Sequence, residues 1–355
     1  MNPRVPIHVV SLGASTPVGR DAWSSAAAVR AGVSGLVELP DLTDSVGEPV
    51  RVALAPWLDL EVKGVERFEA LLFPALEEAL GVLSQSASPD IRPVLALGLP
   101  SPRPGLPTDL EPHLRAVLID RFAGSFSAIA VFPVGHAAGF LGLHAACSRM
   151  DAGAFQSCVV AGVESYLAPE TLRWLEQLDQ LHGAGRLNNA WGFIPGEGAA
   201  AALVLSEDAA MRAGIEPLAK LLSVGRGMES RLIKTETVCI GEGLTSAFRE
   251  GLAGLPPGAR VTDVYCDMNG EPYRADEFGF ACLRTKEAFE SASDFVAPAD
   301  SCGDVSAASA SLHLALSVIA ARKSYANGPF AFLWASSESG ERGSALVATP
   351  APTAS

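Results

Sequence analysis

Two stretches of this chain carry almost nothing but small apolar residues: Cys158-Val159-Val160-Ala161-Gly162, and the run over 198–205. A strand with one wet face alternates apolar with polar residues. These stretches do not alternate, so each predicts a strand covered on both faces. Shorter apolar runs at 7–12, 94–99 and 128–131 predict further strands of the same kind. Between them lie helical patterns. Asp21 caps a helix through Val29, and Gly32 ends it. Phe68, Leu71, Leu72, Leu76 and Leu80 recur at helical spacing over 65–83. Further helices are expected over 109–122, 136–150, 171–181 and 207–213, with a proline-rich loop over 100–107.

After Ala219 the alternation starts again. Strands are expected at 220–224, 261–267, 331–335 and 345–348, and helices at 243–252, 285–291 and 307–322. Strands alternating with helices make an α/β layered fold. The periodicity itself says only that the alternation occurs twice, with its break at 214–219. That gives halves at 1–217 and 218–349, and a disordered tail at 350–355.

Composition bounds the partners. The chain has 355 residues and a net charge of −14. An acidic surface argues against nucleic acid and against anionic lipid, both of which require clustered Lys and Arg. It also fits poorly with an acidic carrier protein. Arg149, Arg173, Arg186 and Arg212 are read as scattered and solvated. Six cysteines show no zinc spacing, and residues 1–6 lack the apolar core of a signal peptide. The uncharged run over 123–148 is long enough to span a bilayer. Its Pro133, four glycines and two histidines instead point to a buried strand, turn and helix. A reduced, soluble, cytoplasmic protein is expected.

Five segments together resemble the β-ketoacyl synthases of the thiolase superfamily. Residues 9–19 are similar to that family's opening strand and Ser-Pro-x-Gly turn. Ala31-Gly32-Val33-Ser34-Gly35 resembles its Ala-Gly-x-Ser-Gly segment, and Ala161-Gly162-Val163-Glu164-Ser165 its Ala-Gly-Gly-x-Glu strand end. Gly192-Phe193-Ile194-Pro195-Gly196-Glu197-Gly198-Ala199 is nearly its Gly-Phe-x-x-Gly-Glu-Gly-Ala motif. Gly135-His136-Ala137-Ala138-Gly139 resembles its first catalytic motif. The resemblance implies a thiolase-like fold of two similar α/β halves, layered α-β-α-β-α, with the innermost helices packed on each other. It also implies fatty acid or polyketide chemistry on an acyl carrier protein, and a homodimer or a heterodimer with a ketosynthase-like chain.

The resemblance also implies a site, and there this sequence departs from the family. The nucleophilic Cys falls on His136. The histidine of the second motif falls on Asp267, and that of the third on Asp304, with Ala299 at its lysine. Gly135, Phe193 and Gly303 fall where substrate is bound. Loss of the whole set implies no decarboxylative condensation. Three arrangements of His136, Asp267 and Asp304 stay open: a satisfied buried pair, a retooled acid/base or hydrolytic site using Cys302 or Cys266 as nucleophile, or a metal site of one His and two Asp. The positive end of a helix disfavours the metal, and no cofactor is expected. His144 reads as a core histidine, His182 as an exposed loop residue, and Glu197 as an acceptor in a tight turn. The residues at 13–19 lack the Gly-Lys-Ser/Thr ending of a phosphate loop.

The expected function is therefore a non-condensing partner, scaffold or adaptor. Chain-length-factor subunits and accessory proteins of bacterial secretion are the precedents within the superfamily. The competing class is an acyl-carrier- or acyl-CoA-dependent acyltransferase or hydrolase with a remodelled site.

Overall fold

The computed structural model describes residues 1–349 except Pro89 and Leu187, so the tail expected at 350–355 lies outside the described residues. The first half contains β1 (Ile7–Ser15), α1 (Ala22–Arg30), β2 (Leu36–Thr43), β3 (Pro49–Ala53), α2 (Gly64–Gly81), β4 (Val94–Gly98), α3 (Leu110–Arg121), β5 (Ala128–Phe132), α4 (Ala138–Asp151), β6 (Ser157–Ser165), α5 (Pro169–Gln177), β7 (Glu197–Ser206) and α6 (Glu207–Ala213). The second contains β8 (Ala219–Met228), α7 (Glu242–Leu252), β9 (Asp263–Cys266), α8 (Pro272–Thr285), β10 (Phe295–Val296), α9 (Ala299–Cys302), α10 (Ser309–Arg322), β11 (Phe330–Ser336) and β12 (Glu341–Ala348).

Ten strands form one hydrogen-bonded sheet in the order β10-β9-β11-β12-β8-β1-β7-β6-β4-β5. Read from either end, the order is third, second, fourth, fifth, first strand of that half. In both halves the fifth strand is the antiparallel one. The halves meet where β1 pairs with β8 over only Ile7–Val9 and Ala219–Leu221. The sheet therefore behaves as two copies of one topology joined edge to edge.

Side-chain alternation on doubly covered strands builds the layers. On β7, Ala200, Ala202 and Val204 enter the central core, while Ala199, Ala201, Leu203 and Leu205 face α2 and α3. On β11, Leu333 and Ala335 face the centre, while Phe332 and Trp334 join Phe248 and Phe278 beneath α7 and α8. Both faces are apolar, which is why the sequence shows no alternation there. The central layer is α4 and α10. Every residue from Ser309 to Ala321 is buried, as expected of a helix with no polar face. Gly139 on α4 lies so near α10 that a Cβ there would press on Ala310.

The structure differs from the sequence reading in three places. The helix expected at 285–291 is one 3-10 turn, Lys286–Ala288, and the full helix is α8 before it. Its pattern was obscured because Arg274 and Glu277 are charged yet fully buried. The β2–β3 hairpin was not anticipated, since it carries only half of an apolar face. His182 is half-buried rather than exposed. The apolar run at 123–148 is β5 followed by α4, and no helix among the described residues is long and apolar enough to cross a membrane.

His313 on α10 is sealed in the central layer, 1% exposed, and among the described residues its Nδ1 has no partner. Burial, aided by the neighbouring His136 charge, pushes its imidazole down to about 3. The unfolded chain binds a proton near the ordinary value of about 6.5, so between these two values the unfolded state carries more protons and stability rises with pH. Unfolding followed by urea titration should lose about 1.4 kcal/mol per pH unit from this one group below that value. His313→Leu should remove that slope.

Candidate active site

The central helices begin side by side. Each is entered by a single 3-10 turn, Gly135–Ala137 before α4 and Ser306–Ala308 before α10. Each turn opens on a left-handed residue, Gly135 (φ 71°) and Ser306 (φ 32°). A Cβ at Gly135 would press on the hydroxyls of Ser101 and Ser306, so glycine suits the first turn on both counts. This geometry places His136 at the head of α4, 4% exposed.

His136 meets Asp304 directly. Its Nε2 lies 2.9 Å from both carboxylate oxygens. A carboxylate only accepts, so Nε2 carries the proton and donates it to Asp304. Among the described residues Nδ1 has no partner. The backbone of the 192–199 motif fixes Asp304 in place. Its N–H donates to the Ile194 carbonyl (2.8 Å), and the Gly196 N–H donates to its carbonyl (3.0 Å). A side chain at Gly196 would collide with the Cys302 carbonyl, which accounts for that glycine. The Ser306 N–H (2.8 Å) and the Asn269 amide (2.7 Å) complete the carboxylate's bonds.

Asp267 is reached through Arg274. The guanidinium donates to Asp267 (2.8 Å) and to the Ser336 carbonyl (2.9 Å), and its Nη2 stands 3.2 Å from His136 Nε2. Glu271 approaches its Nε at 3.4 Å. Burial works against the Arg274 charge, but Asp267 first, then Tyr273, Glu271 and Asp304, outweigh it and keep the group charged. Burial likewise favours a neutral Asp304. Charge and hydrogen bonding from His136 overcome that, with Arg274 and Asn269 adding to them, and hold the carboxyl well below its ordinary value.

The metal arrangement is not what these residues form. A guanidinium already sits among His136, Asp267 and Asp304, and it repels a second cation. Among the described residues the groups spaced for an ion are Glu229, Cys239 and Glu277, away from His136. There Arg342 donates to Glu277 (2.6 Å), and Glu229 accepts the Gly243 N–H at the start of α7 (2.8 Å).

A cavity of about 230 Å³ opens at His136. Tyr166, Trp174, Leu175 and Phe193 give it apolar walls; Ser101, Ser306 and Arg103 bring polar atoms. Arg103 pairs with Glu164 (2.5 Å), yet among the described residues its buried Nε has no partner. A larger depression, about 540 Å³, lies by the β2–β3 hairpin. Its Arg51 is paired with Glu38 and its Asp44 is bonded by three backbone amides, so we take the smaller cavity as the site.

Phe193 lines the cavity and Gly135 flanks it, whereas Gly303 (φ 64°) packs against Ile194 and Ala53 behind it. Cys302 and Cys266 are fully buried, and neither is among the residues that line it. Burial pushes the Cys302 thiol up to about 12, and the Cys266 thiol well above its ordinary value. Glu197 accepts one backbone N–H, from Ala55, but its main partner is Arg67, at 2.6 and 2.7 Å. His144 is half-buried and faces Glu250 at 3.6 Å. Sequence reasoning assigned no role to Arg274, Asn269, Glu271, Lys234 or Glu338. A charged residue in a sequence reads as solvated until its partners are known.

Comparison with known proteins gives the fold a name. The family described as Beta-ketoacyl synthase, N-terminal domain, matches residues 135–210. No curated protein matches the chain. A structure of a type II PKS acyl-carrier protein in complex with its ketosynthase aligns over 98% of this chain and 100% of its own, at 14% identity and a TM-score of 0.79. The ishigamide ketosynthase/chain length factor aligns over 97% and 99%, at 20% identity and 0.66. The ketosynthase from module 6 of the Bacillus subtilis 168 bacillaene synthase aligns over 97% and 72%, at 14% identity and 0.71. The chain has the thiolase-like ketosynthase fold.

Removing Arg274 leaves Asp267 buried without its cation, while Glu271 keeps Lys234. Arg274→Met should therefore lower unfolding free energy by about 3–5 kcal/mol in urea titration. Adding Asp267→Asn should restore part of the loss. A double variant no more stable than the single one would show that the arginine acts by packing alone.

Proposed function

We propose that this chain is a ketosynthase-fold protein without condensing chemistry, acting as the partner subunit of a second ketosynthase-like chain. One observation carries the reading: among the described residues, no cysteine lines the His136 cavity. Burial raises every thiol, those of Cys147, Cys158, Cys282 and Cys302 to about 12 and that of Cys239 to about 11. The sequence resemblance puts His136 where the family carries its acyl-accepting Cys. Imidazole holds an acyl group only briefly, and this one is tied to Asp304 through Nε2. Asp304 stands at a histidine position of the family motif, where a held carboxylate would repel the enolate left by loss of CO₂ rather than stabilise it.

The partner reading draws on β5. This strand ends the sheet, and its residues Ala128-Ile129-Ala130-Val131-Phe132 are uncharged and partly or fully exposed. An apolar edge strand is a template for another chain. The neighbour named as a ketosynthase/chain length factor is consistent with a two-chain arrangement.

Incubation with acyl-CoA or acyl-carrier substrates should leave the intact mass unchanged; an acyl adduct that disappears in Cys302→Ala would overturn the reading. His136→Cys alone should not yield condensation product, because Asp267 and Asp304 remain. Light scattering should show association that Ala130→Lys abolishes. A wild-type chain that stays monomeric, alone and with a ketosynthase, would end the partner proposal.

A further inference from the structure

The 229–241 segment joins β8 to α7 without helix or strand, and one residue ties it to the site. Lys234 has a left-handed backbone (φ 60°), which a lysine adopts only where its surroundings hold it there. Its side chain is 13% exposed. The ammonium lies 3.2 Å from Glu271 Oε1 and also pairs with Glu338. It sits over the Phe193 ring (5.6 Å) and the Tyr273 ring (5.2 Å). A cation at that range of an aromatic face is attracted to it.

These four partners belong to separate parts of the chain. Phe193 precedes β7 in the first half. Glu271 and Tyr273 begin α8, and Glu338 lies in the turn between β11 and β12. Phe193 and Glu338 are themselves walls of the His136 cavity. Glu271 accepts from the Asn269 amide (3.0 Å), which also donates to Asp304. Lys234 is thus linked to the buried His136–Asp304 pair by an unbroken chain of polar contacts.

We propose that Lys234 is a clasp that holds the cavity wall closed, and that its release opens the way to His136. With the ammonium in place, Glu271 and Glu338 are drawn to one point. Without it, the same two carboxylates repel each other, and Phe193 loses the charge that fixes its ring. The same groups thereby hold the wall shut or part it, according to the position of one side chain. The biological purpose rests on reading this cavity as the ligand site, but the device itself can be tested without any ligand.

The probe is diethylpyrocarbonate, which carbethoxylates exposed imidazole; adducts are counted by peptide mass spectrometry. Lys234→Met keeps the aliphatic stem and removes the charge. Modification of His136 should quicken about tenfold relative to His113 on α3, the change expected when roughly one half-buried ion pair is lost. Hydrogen exchange should quicken in 229–241 and at Phe193, but not in α3. Glu338→Gln, which removes one partner and leaves Lys234 in place, should move both readouts the same way and decides the matter if the first variant does not fold. A folded variant in which neither readout changes would overturn the clasp, as would equal acceleration at His113.

Discussion

A guanidinium with no access to water governs the arrangement at the head of the central helices. Arg274 holds Asp267, draws in Glu271 and lies beside His136, whose ring is held in turn by Asp304. Each of these charges would be untenable alone in such a place. Together they form a ring in which each carboxylate faces a donor. The ring draws on both halves, with the 192–199 backbone of the first half gripping Asp304 of the second. The halves are thereby held in register by charge as well as by the apolar layer between them.

The doubled topology explains why a site forms at that point. Two copies of one strand order, joined edge to edge, bring two equivalent helix starts together, each with a left-handed residue at its turn. The positive ends of two helix dipoles converge there. Such a place favours anionic groups, and Asp304 occupies it with its carboxylate bonded by the Ser306 N–H at the second helix start. A fold able to stabilise a reactive anion here stabilises a resident carboxylate instead.

Much of the architecture was legible because apolar runs without alternation have one physical meaning. The strands at 157–165 and 197–206 follow from it, while the helix at 22–30 follows from its Asp21 cap. Legibility failed where charges were buried. Helix α8 carries Arg274 and Glu277 inward, so its sequence resembles a solvated segment, and the spacing points to 285–291 instead. The site divides along the same line. His136, Asp267 and Asp304 were marked by their motif positions. Arg274, Asn269 and Lys234 carry no local signature of burial, and each also bonds a group distant in the chain: the Ser336 carbonyl, Asp304 and Glu338.

The two ends of the long sheet are unequal. At one end, β10 is two residues long and offers almost no ladder for another chain; at the other, β5 presents five residues without a charge. The inner edges of β1 and β8 are covered by each other along their short junction. A chain with two adhesive edges adds copies indefinitely and makes a fibre. Pairing through the one long outer edge of this sheet would close at two copies, since the two-residue β10 offers no second ladder.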